Sequence, residues 1–411
     1  MKESISFKYM SRTIRLTGVG GKKGDPKKII LGYFANHGNT TIPDLSKELE
    51  VSVPKVTSLV NELIQQGLIR DFGKIESTGG RKPNLYGIVA DSAFFIGVDV
   101  KQSHINIGLS DLQKNLVKVS EKLVYQLDNT PDSLESLCSY IQDFISELDV
   151  PAGRVLGIGI NLSGRINYTT GHSYSFFHFD ESPLAEIIQG RVGIPVFLEN
   201  DSRAMAYGEF CAGAVQQEKD VLFLNLDYGI GVGILFDGQL YYGKSGYAGE
   251  VGHMPFFDNE RICHCGKKGC LETEASGWAL IRMFREKLAG GSSSVVTSKK
   301  KIRPEDITMD DIIEAALNDD VLAIELLAKV GENLGRGIAA LINVLNPELV
   351  VLGGSLVLTG DYLYLPIKTA LNKYSLSLVN NDSQLKISKL GERAGILGAC
   401  LLVRDRLLDI G

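Results

Sequence analysis

The chain has 411 residues, 44% hydrophobic and 22% charged, which excludes a disordered polymer and exceeds what one compact core holds, so two or three domains are expected. No apolar run reaches the ~18 residues of a membrane helix, and the N-terminal MKESISFKYMSR lacks the apolar core of a secretory leader. The net charge of -6 is uneven: residues 1–90 carry 14 Lys and Arg against 8 Asp and Glu, the rest 29 against 41, so a polyanion partner is expected for the basic head only.

Residues 1–24 are basic and glycine-rich and read as a flexible arm. Pro26 opens a first helix with Ile29, Ile30, Leu31 and Phe34 on its inner side, stopping near Gly38. Thr41 caps a second helix with Pro43 in its first turn, and Ser52 caps a third with Pro54 in its first turn. Val56, Leu59, Val60, Leu63 and Ile64 give the third helix an apolar stripe, and Lys55, Thr57, Ser58 and Asn61 stand on its opposite face. Two short helices joined by a tight turn make a helix-turn-helix. A strand at Leu68-Ile69-Arg70, the basic loop Thr78–Pro83 and a returning strand at Leu85–Ile88 make a wing. Residues 1–90 are therefore expected to form a winged helix-turn-helix that binds double-stranded DNA, with the third helix toward base edges and Arg81 and Lys82 on phosphates or a minor groove. The alternative is a small helical protein-interaction domain.

The body alternates strand and helix, which gives the class α/β. A buried strand is read at 94–100, further strands at 104–110 and 115–125 and an apolar strand at 155–161, with a helix over 131–148. A strand at Val196-Phe197-Leu198 leads through Glu199-Asn200-Asp201 into a helix over 202–211. The pattern restarts at Val221–Leu226, where Asp227-Tyr228-Gly229-Ile230-Gly231-Val232-Gly233 joins it to Ile234-Leu235-Phe236. Two similar halves imply two lobes with a cleft between them, 91–205 joined by the C-terminal helix 393–411, and 206–392. Gly290 to Lys301 reads as a polar, mobile insert. Long helices follow at 309–318 and 320–345, and the last helix, 393–408, reads as apolar on one side only.

His253, Cys263, Cys265 and Cys270 gather four metal-type ligands within eighteen residues of the second half. An upstream His followed by Cys-x-Cys-x₄-Cys is metal-ligand spacing, and three thiolates with one imidazole suit tetrahedral Zn²⁺. Four protein ligands close the shell, so the metal is expected to be structural and to hold Glu250 and Glu272 in place; ordinary buried thiols are the alternative. The remaining cysteines, Cys138, Cys211 and Cys400, read as buried thiols, and the expected compartment is the reducing cytoplasm.

Gly157-Ile158-Gly159, Glu199-Asn200-Asp201, Gly249-Glu250-Val251-Gly252-His253 and Cys263-His264-Cys265-Gly266-x-x-Gly269-Cys270-x-Glu272 together resemble the ROK family of repressors, uncharacterised reading frames and sugar kinases. The resemblance spans nearly the whole chain and implies a two-lobed actin-like body, ribonuclease H-like and of sugar-kinase type. The winged head is similar to that of the family's xylose-, N-acetylglucosamine- and glucose-responsive repressors. The resemblance further implies a pyranose pocket in which Asn200, Asp201, Glu250, His253 and Glu272 bind sugar hydroxyls. His253 would serve both metal and ligand.

Kinases of the family carry Asp-x-Gly-Gly-Thr after the first strand, whereas here Asp99 is followed by Val100-Lys101-Gln102-Ser103. Their second phosphate turn resembles Gly-Thr-Gly, where this chain has Asp227-Tyr228-Gly229. The chain is therefore expected to be no enzyme. Asp201, which matches the kinases' general base, would be vestigial and bind sugar only. The expected whole is a homodimeric or homotetrameric, sugar-responsive repressor on operator DNA, with a hexose or related sugar as effector. A sugar kinase with a DNA-binding head and a DNA-binding scaffold under a partner protein's control are the alternatives.

Overall fold

The structure is a computed structural model describing residues 25–74, 83–151, 153–298 and 300–409. The arm 1–24 and the wing residues Arg81 and Lys82 lie outside the described residues. In the head, α1 (Pro26–His37) starts where the Asp25 side chain accepts the Lys27 N–H, and ends at Gly38 with φ 78°. The strand β1 (Thr40–Thr41) leads into α2 (Ile42–Glu48), capped by Thr41, whose hydroxyl accepts the Asp44 N–H. The third helix, α3 (Val53–Gln65), buries Val56, Leu59, Val60 and Leu63. The Ser52 hydroxyl makes no capping bond, contrary to expectation; Pro54 in the first turn removes one orphan donor instead. Ile29 also departs from expectation, 41% exposed because α1 buries Ile30, Leu31 and Phe34. The wing strands β2 (Ile69–Lys74) and β3 (Asn84–Ile88) pair antiparallel, and β3 also pairs with β1.

The described chain divides into two compact units, Met1–Glu199 with Ile396–Gly411, and Asn200–Gly395. The first continues from the head into β4 (Phe94–Val100), β5 (His104–Asp111), β6 (Leu116–Val124), α4 (Pro131–Ser146), β7 (Val155–Leu162), the ribbon β8 (Ile166–Asn167) and β9 (His172–Ser173), α5 (Leu184–Val192) and β10 (Val196–Asn200). Its main sheet has the order β10-β7-β4-β5-β6, with β4–β5 and β5–β6 antiparallel and β4–β7 parallel. Every residue of β4 is buried, as a central strand covered on both faces requires.

The second unit holds α6 (Asp201–Ala212), β11 (Val221–Leu226), β12 (Ile230–Phe236), β13 (Gln239–Leu240), α7 (Glu272–Ala275), α8 (Gly277–Ala289), α9 (Val295–Ser298), α10 (Met309–Leu317), α11 (Val321–Leu345), β14 (Leu349–Gly353), α12 (Asp361–Tyr374), α13 (Ser377–Asp382) and β15 (Gln384–Ile387). Its sheet, β13-β12-β11-β14-β15, repeats the first: two antiparallel pairings on one side of the first strand, parallel neighbours on the other. The insert expected to be mobile instead carries α9. Val296 is buried in the core, and the Val295 N–H donates to Asp320 Oδ2 at 2.8 Å.

The last helix, α14 (Arg393–Leu408), is buried continuously over residues 394–405 instead of on one side. On the sheet, glycines let it sit close: a Cβ at Gly97 would lie 2.1 Å from the Ile396 carbonyl, and one at Gly159 2.5 Å from that of Ala399. Cys400, Val403 and Leu408 share one apolar core with Ile30, Leu31, Phe34, Leu59 and Leu63 of the head. Arg404 is 0% exposed; it pairs with Asp405 at 2.7 Å and donates to Asn36 Oδ1 of α1 at 3.1 Å and to the Leu112 carbonyl at 3.5 Å. Head and first sheet are thus packed through one helix drawn from the far end of the chain.

Candidate functional site

Four of the expected ligands converge. His253, Cys263, Cys265 and Cys270 each offer one donor atom, and these atoms lie within 4.8 Å of one another. Cys265 Sγ is 3.6 Å from Cys270 Sγ, and Cys263 Sγ is 3.5 Å from His253 Nδ1. Metal–sulfur bonds of about 2.3 Å arranged tetrahedrally place donors about 3.8 Å apart, so these spacings suit one four-coordinate cation. Glycines make the loop possible: Gly266 and Gly269 take φ 83° and 71°, and a Cβ at Gly269 would lie 2.1 Å from the Phe257 carbonyl. The three thiols differ in their surroundings. Burial, then the neighbouring Glu272, pushes Cys263 up. Burial and the Cys265 contact push Cys270 up. Burial works against Cys265, but the Lys267 N–H and hydrogen bonds with Cys263 and Cys270 bring it below its usual value.

The centre fixes two carboxylates. Glu272, buried at the start of α7, has Oε1 2.9 Å from Cys263 Sγ and 3.5 Å from His253 Nδ1. On the other edge of the imidazole, Nε2 is 3.6 Å from Glu250 Oε2. His253 therefore faces the thiols with one ring nitrogen and an exposed carboxylate with the other.

Asn200 and Asp201 stand at the N-terminus of α6. Asn200 caps it, Oδ1 accepting from the Ser202 and Arg203 N–H groups at 3.1 and 3.2 Å. Asp201 Oδ1 accepts from the Ser202 N–H at 2.7 Å, and Oδ2 lies 3.4 Å from Asn225 Nδ2. The entry to β12 brings this pair toward the metal-type centre. A Cβ on Gly229 would lie 3.6 Å from Glu272 Oε2, one on Gly252 2.7 Å from the Ile230 carbonyl, and one on Gly231 1.9 Å from Ser202 Oγ. Three consecutive residues thus touch Glu272, the Glu250–His253 segment and the first turn of α6. Glu272 itself and the two segments that carry Asn200, Asp201, Glu250 and His253 meet at that one turn.

Sequence reasoning missed Asn225 and Arg203. Asn225 is a polar residue inside the buried run Val221–Leu226, and that break in an apolar strand was the available signal. Arg203 had no signal, because its position on an otherwise ordinary helix does not show that it is buried.

On the head, Lys55, Ser58 and Asn61 are exposed and Thr57 is half-buried on one side of α3. The Thr57 hydroxyl donates to the Val53 carbonyl at 2.8 Å, and Ser58 Oγ reaches Glu62 at 3.4 Å. Glu62 is itself drawn below its usual value by Lys27, 2.7 Å away. The Thr57 hydroxyl is thus engaged within its own helix. In the first unit, Asp99 is wholly buried and Lys101 Nζ lies 3.4 Å from its Oδ2. In the second, Asp227 Oδ2 accepts the Ser355 hydroxyl at 3.2 Å.

The ROK family profile matches residues 95–406, and a winged helix-turn-helix DNA-binding profile matches residues 27–70. The chain belongs to the ROK family. It is similar to the xylose repressor of Caldicellulosiruptor bescii, 29% identical over 385 residues, which are 93% of this chain and 96% of that one. It is also similar to a ROK family transcriptional regulator described as a homologue of Escherichia coli Mlc, with a TM-score of 0.77, 28% identity, and 93% and 97% of the two chains covered. A ROK family glucokinase from Streptomyces griseus, solved with glucose and AMPPNP, matches with a TM-score of 0.67 and 27% identity over 75% of this chain and 99% of its own. This ROK chain is therefore a mixed α/β protein with a winged helix-turn-helix ahead of a sugar-kinase-like body. No helix among the described residues is long and apolar enough to cross a membrane.

Proposed function

We propose that the protein is a sugar-responsive transcriptional repressor that binds operator DNA through its winged head and is released by a pyranose bound in the second unit. Asp201, Glu250 and Glu272 supply hydroxyl acceptors and the second ring nitrogen of His253 a donor, with the Asn200 amide beside them. The observation that carries the reading is the β12 entry, where three successive residues touch all the elements bearing these groups. A sugar presents several hydroxyls in fixed directions, and a set of acceptors held this rigidly is suited to it. The xylose repressor and the Mlc homologue among the relatives support the regulatory role. Zn²⁺ on His253, Cys263, Cys265 and Cys270 would have a structural task, because four protein donors leave no open position. Two or more copies are required if the operator has two half-sites.

Phosphoryl transfer is not part of this reading. Where a kinase presents glycine N–H groups to phosphate, the Lys101 side chain turns back onto Asp99 and supplies its counter-charge. The glucokinase likeness and the Asp201 carboxylate favour the kinase as second reading. A labelled-operator titration across a panel of pentoses, hexoses and N-acetylated hexoses tests the first. At least one sugar should lower operator affinity by on the order of tenfold, a coupling of ~1–3 kcal/mol. No response from any sugar or sugar phosphate would overturn it. ATP-dependent phosphorylation of a hexose that vanishes in Asp201→Asn would establish the kinase instead.

A further inference from the structure

Glu250 and His253 are delivered by a glycine-rich segment outside the sheet and helices. Between β13 and Glu250 the chain runs through 241–249 with neither helix nor strand, and Gly243, Gly246 and Gly249 take φ 66°, 83° and 95°. Three left-handed glycines in seven residues give such a loop much freedom to lose. One end is fixed by shape, since a Cβ at Gly249 would lie 2.2 Å from the Val232 carbonyl. The middle is fixed by Arg203. This side chain is 3% exposed, donates from Nη1 to the Gly246 carbonyl at 2.8 Å, and lies 5.4 Å over the Tyr242 ring.

Arg203 is itself rigidly based. Its N–H is held by Asn200 Oδ1, and a Cβ at Gly233 would lie 2.7 Å from the Ser202 carbonyl, so α6 rests backbone-close on β12. One guanidinium therefore ties the turn bearing Asn200 and Asp201 to the loop bearing Glu250 and His253.

We propose that Arg203 is a positioning residue that sets the spacing between the two halves of the hydroxyl-binding site without touching the ligand. Its planar fork bonds a carbonyl and stacks on a ring together, which a lysine ammonium cannot reproduce. Without it the loop must be ordered by the ligand at the moment of binding, and affinity falls by that cost. The inference rests on the sugar reading above, and the test separates the two.

The test uses the full-length protein with zinc bound, as wild type, Arg203→Met and Arg203→Lys. Hydrogen exchange of the sugar-free protein reports the loop directly. Arg203→Met should exchange residues 243–249 roughly tenfold faster, with zinc content and sugar-free operator affinity unchanged. The sugar concentration that half-releases the operator should rise roughly tenfold in Arg203→Met and less in Arg203→Lys, with exchange restored at saturating sugar. Unchanged loop exchange in both variants would overturn the positioning role, whatever the sugar data show. If wild type responds to no sugar, the functional reading fails while the exchange data still decide whether Arg203 holds the loop. If Arg203→Met does not fold, Arg203→Lys decides: loop exchange at the wild-type rate with wild-type release would sink the proposal.

Discussion

The hairpin β4–β5 of the first unit and the hairpin β11–β12 of the second occupy the same place in two sheets of one strand order. Each first strand has an aspartate at its end, Asp99 one residue before the last of β4 and Asp227 just past β11. At β4–β5, Asp99 is wholly buried and Lys101 folds back to neutralise it, so this turn is occupied by its own side chains. At β11–β12, Asp227 turns aside to Ser355, Gly231 leaves room for Ser202 to approach the backbone, and Glu272 stands beside Gly229. The lesson is that a duplicated scaffold can diverge through side-chain volume at one turn. One copy is closed by a lysine; the other is kept narrow and polar by Glu272 beside Gly229 and by Ser202, whose approach glycine at 231 admits.

Substitutions at four sites break or sharpen that contrast, in descending size. Cys265→Ser removes the scaffold beside the second hairpin. Zinc per chain should fall to background by elemental analysis, Tm should drop by on the order of 10 °C, and the sugar response should vanish. Undiminished zinc would mean the ligand set is wrong. Lys101→Ala attacks the first hairpin by leaving a buried carboxylate without this partner, at ~3 kcal/mol by denaturant unfolding. Lys101→Met combined with Asp99→Asn should recover most of that loss, and neither should change the sugar response. A destabilised sugar response with unaltered stability would reverse the roles assigned to the two turns.

Glu272→Ala acts on the second hairpin alone. The half-release sugar concentration should rise ~10- to 100-fold, as expected for losing a hydrogen bond to a charged group, with operator affinity nearly intact. An intact sugar response would place the ligand elsewhere. Arg81→Ala should weaken operator binding a few-fold, reduce its salt slope by about 1 and leave base preference alone. A changed preference in a selection from random sequences would show that the wing reads bases.

Much of this was legible because it is local. The first-turn prolines and the Thr41 cap announced the head helices, the apolar runs gave both sheets, and cysteine spacing gave the metal-type centre. What was not legible depends on remote partners. The all-round burial of α14 arises because Gly97 and Gly159 admit it on one side and head residues cover the other, neither of which shows in its own sixteen residues. Ser52 could cap by type but does not, while Thr57 and Ser58 turn their hydroxyls to local acceptors. Asn225 needed only a closer look at one polar residue in an apolar strand, whereas Arg203 required knowing that the loop at Gly246 returns to α6.

The helix α14 carries a consequence for genetics. Because Cys400, Val403, Leu408 and the Arg404 guanidinium complete the core and polar seat of the head, the first ninety residues are not self-sufficient. A nonsense codon just ahead of Cys400 would leave every groove-facing residue translated, yet it would strip the reading head of its floor. Such an allele should behave like a deletion of the head itself.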